Sequence, residues 1–389
     1  VKNMPFNVWL LMLCAACAMS AAPLVVFSGG IVGNALAPSS ALASLPIASM
    51  VVGTAIAVIP VSLLMGVIGR KLAFMLGSGI SIAGSLLTAF GINQQNFWWF
   101  CAGTFLLGAG LAFVQQYRFA AMESVSPPQM PTAASTVLLG GLIAAVIGPE
   151  LALRSKDSFE TEFVGPFLWL ALIYAFCIAL LFLFRETKSK KVHQKTEGRA
   201  LIQIAKQPVF LLAVSSAAIG YAVMSFIMTA TPMSMHIHSG HSLEDTKWVI
   251  QSHIMAMFIP SFFSGRLISK FGPERVIVAG LIAFAMCILI AVIDRSLLHY
   301  WFALILLGVG WNFLFVAGTS LLPQSYQIGE ASKAQAANEF IVFGLQALAS
   351  LSAGWILFSY GWQTLLLVSI PLLLLVLLSL INHSKLLRT

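Results

Sequence analysis

Residues 186–206 read ETKSKKVHQKTEGRALIQIAK, the most polar and charged stretch between the apolar segments of this chain. Before it come apolar runs with approximate ends at 7–32, 42–66, 72–92, 97–119, 131–153 and 164–185. After it come runs at 207–232, 247–269, 275–293, 298–322, 334–357 and 361–383. A hydrocarbon core of about 30 Å needs about 20 apolar helical residues, and each run is near that length. The sequence therefore predicts an all-α membrane protein with twelve transmembrane helices in two six-helix bundles, 1–185 and 207–389. The basic, helix-permissive connector at 186–206 is expected on the cytoplasmic side.

Composition agrees with this reading. The 389 residues are 59% hydrophobic and 9% charged, with mean hydropathy +0.94, whereas soluble domains carry about 25% charged residues. The first run follows Lys2 and passes AMSAAP, which resembles a signal-peptide cleavage site, but it continues beyond that point, so an uncleaved span is expected. Placing both termini in the cytoplasm puts all but four of the 21 Lys and Arg residues on that side. Only Arg154, Lys156, Lys247 and Arg295 fall opposite, an asymmetry typical of multi-pass proteins. The net charge of +8 then reports topology and contact with the headgroups of a lipid bilayer, not nucleic acid. This pattern fits a bacterial inner membrane, and a monomer is expected.

All five cysteines lie inside expected spans and show no secreted-scaffold spacing. Cys14 and Cys17 form a CxxC that reads as small-residue packing or as a soft-metal pair. Proline at Ile59-Pro60, Gly148-Pro149 and Ile259-Pro260 marks expected kinks or span ends.

Polar groups within spans are costly and therefore mark candidate substrate-path residues. Gln115, Gln116 and Arg118 sit near the end of span 4, and Arg118 either snorkels to headgroups or pairs with an anion or Glu123. Glu150 follows a Gly-Pro near the end of span 5, as a solvated cap or a carboxylate at a cavity mouth. Asn312 in span 10 and Glu339 at the start of span 11 complete the path candidates, the latter as a proton-coupling group or a surface carboxylate beside Lys333.

Two i, i+4 pairs follow the linker: Met224 with Met228 in span 7, and His253 with Met257 in span 8. One helical turn puts each pair on a common face. Thioethers favour Cu(I), and imidazole suits copper, zinc, iron and nickel, while Met alone is ordinary packing material. Met233, Met235, His236, His238 and His241 crowd the segment leaving span 7, either as a metal-collecting entrance or as an exposed polar loop. No permanently bound cofactor is expected; copper enters as a possible substrate.

The loops SLLMGVIGRK (62–71) and GRLISKFGPE (265–274) align at Gly69 and Gly272. Both resemble the signature loop of the major facilitator superfamily, although its Asp position holds Gly66 in one half and Ser269 in the other. With the twelve spans, the MxxxM and the HxxxM resemble the CcoA-like transporters, a family of bacterial copper importers and riboflavin importers. That resemblance implies a major facilitator fold. It also implies that Met224, Met228, His253 and Met257 either form a metal path or line a pocket for an aromatic ring system. Copper uptake by alternating access is the first expectation, and import of riboflavin or another planar solute the alternative. Trp98, Trp99, Phe100, Trp311 and Phe313 are aromatic residues able to stack such a ring. Metabolite or drug efflux is a third reading, and the scarcity of embedded carboxylates counts against proton-driven cation export. A receptor or scaffold has no appended domain to signal through, and no enzyme is expected because no nucleophile, base and orienting group fall together. No nucleotide-binding motif occurs, so transport is expected to be secondary or facilitated.

Overall fold

The computed structural model describes residues 4–126, 129–186, 199–327 and 330–386. Most of the linker, 187–198, and the terminal Lys2 and Arg388 lie outside them. The described chain is largely helical across its expected spans. Span 1 comprises α1 (Phe6–Met19) and α2 (Ala21–Leu36); α3 (Leu45–Ile68) and α4 (Arg70–Asn93) are spans 2 and 3. Span 4 divides into α5 (Phe97–Val114) and α6 (Tyr117–Glu123), followed by α7 (Met130–Arg154) and α8 (Val164–Leu181). A short α9 (Leu201–Ala205) leads into α10 (Pro208–Met233). Span 8 is α11 (Leu243–Phe258) with α12 (Ser261–Phe271), and α13 (Pro273–Ile293) and α14 (Leu297–Leu321) are spans 9 and 10. Spans 11 and 12 run together as α15 (Ala331–Leu386), interrupted at Gly361 with φ 83° and ψ 172°.

Ten helical stretches among the described residues are long and apolar enough to cross a membrane. Lys333–Ser384 carries two spans, and span 8 is absent from the ten because it breaks near Pro260. Each of the twelve expected runs therefore has a helical counterpart. Pro60 and Pro149 lie inside continuous helices, so of the three expected proline sites only Pro260 coincides with a helix end.

The chain forms two compact units. One contains Val1–Lys190 together with Pro232–Ile254, and the other contains Lys191–Thr231 with Met255–Thr389. This division departs from the expected 1–185 and 207–389 boundaries by grouping the segment 232–254 with the first half. In the first unit α4 and α3 pack most extensively on α5. Gly108 allows the second of these approaches: a β-carbon there would overlap the Met50 carbonyl oxygen, and Thr54 Oγ1 donates to the Gly108 carbonyl at 2.9 Å. Phe74, Phe100, Tyr117, Phe167 and Tyr174 are fully buried, and Tyr174 donates to the Ala18 carbonyl at 2.8 Å. In the second unit α13 packs on α14, and buried Trp362 donates to the Ala291 carbonyl at 3.2 Å.

Gly69 and Gly272 precede α4 and α13 with nearly identical backbones, φ 82°, ψ 167° and φ 84°, ψ 154°. That region is essentially closed to residues with a β-carbon. In the first unit the end of α3 is also tied down by charge. Arg70 holds Glu123 through Nε–Oε2 at 2.6 Å and a second contact through Nη2, and its backbone N–H donates to Glu186. Val67, 85% exposed, and Leu63 nearby illustrate the apolar outer surface that suits lipid contact.

Candidate functional site

On α10, Met224 and Met228 are both buried and one turn apart. On α11, His253 is fully buried and Met257 lies buried a turn later. The chain passes from the first unit to the second between Ile254 and Met255, so Met224, Met228 and Met257 belong to the second unit and His253 to the first. Among the described residues no group of three or more His, Cys, Asp or Glu side chains is placed to hold a metal ion.

The segment after α10 differs from an open donor-rich entrance. Residues Ser234–His238 form a single π-helical turn, a feature common at functional sites. Met233 and Met235 are fully buried inside the first unit, and a β-carbon on Gly30 would stand 3.0 Å from Met233 Cγ. His236 Nδ1 meets the His241 carbonyl at 2.9 Å, which closes the loop, and His238 is exposed.

The substrate-path candidates take varied positions. Gln115 and Gln116, half-buried, form the break between α5 and α6. Arg118 places its guanidinium 4.8 Å from the Phe119 ring centroid, and Glu123, one partner considered for it, is held by Arg70 instead. Glu339 is half-buried on α15 beside buried Asn338. Glu150 is neither a free cap nor an isolated carboxylate: it receives Lys247 at 2.9 Å and Arg154 at 2.8 Å.

Asn312 has a defined role. Where span 8 breaks, the Met257 carbonyl loses its helical partner, and Asn312 Nδ2 donates to it at 2.8 Å and to Ser261 Oγ at 2.6 Å. Asn312 Oδ1 is buried without a hydrogen-bond partner.

Beside it lies an aromatic cluster drawn from three helices of the sequence's second half. Trp311 stacks on Phe315, with centroids 5.2 Å apart and planes 8° from parallel. Tyr221 of α10 meets Trp311 and Phe315 edge-on at 5.2 and 5.5 Å. Phe343 of α15 stands 6.1 Å from Tyr221 within the same unit. Trp311 is buried, whereas Tyr221, Phe315 and Phe343 are partly exposed. Of the aromatic residues marked in the sequence, only Trp311 belongs to this cluster. Trp98 and Trp99 are exposed, and Phe100 is core. The i, i+4 spacing of Trp311 and Phe315 was the sequence signal for half of it.

A second polar cluster lies within the first unit. Cys177 Sγ is 3.8 Å from the Cys14 carbonyl, 3.9 Å from Ser78 Oγ and 4.0 Å from the Tyr117 hydroxyl, with Cys17 also buried.

Comparison with known proteins gives a consistent lineage. A family model described as Major Facilitator Superfamily matches residues 8–246 and 213–385. The riboflavin transporter RfnT of Brucella anthropi is 38% identical over 384 residues, 97% of this chain and 96% of that protein. The uncharacterized MFS-type transporter YddS of Bacillus subtilis is 28% identical over 364 residues, 88% of this chain and 82% of that protein. Among solved structures, a bacterial homolog of the human lysosomal transporter Spinster superimposes with TM-score 0.75 at 14% identity, covering 98% of this chain and 96% of that one.

Proposed function

This chain belongs to the Major Facilitator Superfamily, and we propose on that basis that it imports riboflavin or a closely similar flavin by alternating access. The observation that carries the reading is its 38% identity to a riboflavin transporter across nearly the full length of both proteins. The geometry supports it. A flavin presents a large planar ring, and the partly exposed rings of Tyr221, Phe315 and Phe343 around Trp311 offer faces and edges for stacking. The multi-pass chain would lie in a bacterial inner membrane with both termini cytoplasmic, as its Lys and Arg distribution implies.

Copper is the second reading, favoured by the buried Met224 and Met228 on α10 and the buried His253 and Met257 on α11. Expression in a riboflavin auxotroph at limiting riboflavin, with parallel uptake of radiolabelled copper, separates the two. Growth rescue and saturable riboflavin uptake, with copper uptake at background, are expected. Copper accumulation lost in Met224→Leu and His253→Leu, without riboflavin rescue by the wild type, overturns the flavin reading.

A further inference from the structure

Two consecutive residues of α14 each carry a buried polar atom that the protein leaves without a hydrogen bond: the Trp311 Nε1 donor and the Asn312 Oδ1 acceptor. Buried polar atoms in folded proteins are nearly always paired, and an indole N–H ordinarily finds an acceptor when its ring is buried. Neither is loosely placed. Trp311 is fixed by its stack on Phe315 and its edge contacts with Tyr221. Asn312 is fixed by two hydrogen bonds from Nδ2, and flipping its amide would set oxygen against oxygen at the Met257 carbonyl and forfeit that bond.

We propose that Trp311 and Asn312 are specificity-determining residues that read the rim of a planar heteroaromatic solute, the indole N–H donating to a ring carbonyl and the Asn312 amide oxygen accepting from a ring N–H. This inference rests on the flavin reading above and deepens it. The imide edge of an isoalloxazine ring carries one N–H flanked by two carbonyls, the complement of one donor and one acceptor. Around the pair, Tyr221 and Phe315 present partly exposed rings. A solute ring that replaces one of their edge contacts exchanges one aromatic contact for another. A site built to hydrogen-bond a group discriminates strongly against an analogue lacking it, because its own buried polar atom is then left unpaired.

The test uses the purified full chain in detergent, with riboflavin and N3-methylriboflavin as probes, the latter lacking the ring N–H but keeping both carbonyls. Wild-type protein is expected to bind riboflavin at least tenfold more tightly than the methylated analogue. Trp311→Phe, which keeps an aromatic ring beside Phe315 but removes the donor together with the indole's second ring, is expected to weaken riboflavin binding about tenfold while still unfolding cooperatively, at a somewhat lower temperature. Equal binding of both flavins by the wild type, or undiminished riboflavin affinity in the folded Trp311→Phe protein, overturns the proposal while leaving flavin import standing. Absence of any riboflavin binding or uptake by the wild type overturns the flavin reading and this inference with it.

Discussion

Lys247 Nζ lies 2.9 Å from Glu150 Oε1 and 2.5 Å from Glu244 Oε1, with its side chain only 9% exposed. One buried cation on α11 thus joins a carboxylate of α7 to another from its own first turn. Removing it would leave Glu150 with Arg154 alone and return Glu244 to solvent. Lys247→Met is expected to destabilise the protein by about 1–3 kcal/mol, the range for losing charged hydrogen bonds at a partly buried site. The denaturation midpoint of the purified protein measures it. An unchanged midpoint would show that these contacts contribute nothing net, and Glu150→Gln added to Lys247→Met should recover part of the loss.

Gly69 and Gly272 share one backbone conformation but not one environment. Substitution by Ala costs about 1–3 kcal/mol in strain at either position. At Gly69 the new methyl would also overlap the Glu186 carboxylate, whereas at Gly272 it would meet only Glu274 Oε2 at 3.2 Å. Gly69→Ala is therefore expected to lower the yield and melting temperature of folded protein more than Gly272→Ala. Equal effects would indicate that Glu186 swings aside freely.

Glu330, beyond α14, is held by Arg199 at 2.7 Å and accepts the Gln327 backbone N–H at 2.9 Å. The Arg199 guanidinium, helped by that N–H, draws its carboxyl down from 4.5 to about 2. A depressed carboxylate stabilises the folded state fully above its ordinary value and loses that contribution as pH falls toward its folded one. Stability from this contact should thus persist down to about pH 4.5 and decline between there and about 2. Glu330→Gln should remove that part of the acid sensitivity. Melting temperatures across the interval check it, and identical acid profiles for variant and wild type would exclude the pair as a contributor.

The helical architecture was legible because each run from 7–32 to 361–383 carries its own length and apolarity, and a bilayer demands both. Gly69 and Gly272 were legible as equivalents because a glycine-only backbone leaves its mark on the sequence. Relations between distant residues were not. Tyr221, Trp311 and Phe343 come together only through packing of three helices, and nothing in their local spacing announces it. Lys247 read as one of four charges on the sparse side, although its partners bury it. Met233 and Met235 read as part of either a metal-collecting entrance or an exposed polar loop, and their burial, with Met233 against Gly30, is made across the fold and leaves no local mark in the sequence. Met224 with Met228 and His253 with Met257 were legible as helical pairs, but the spacing alone left open whether they serve a metal path or a flavin pocket.

The grouping of Pro232–Ile254 with the first half has a practical consequence for dissecting the molecule. A chain severed within the linker would yield an amino-terminal fragment that lacks Lys247 for Glu150 and Met233 for Gly30. That fragment would hold Glu150 with Arg154 alone and would lack the side chain that packs on Gly30 until its complement arrived. Reconstitution from separately made halves should accordingly depend on synthesis in the same membrane, each piece acting as a folding template for the other.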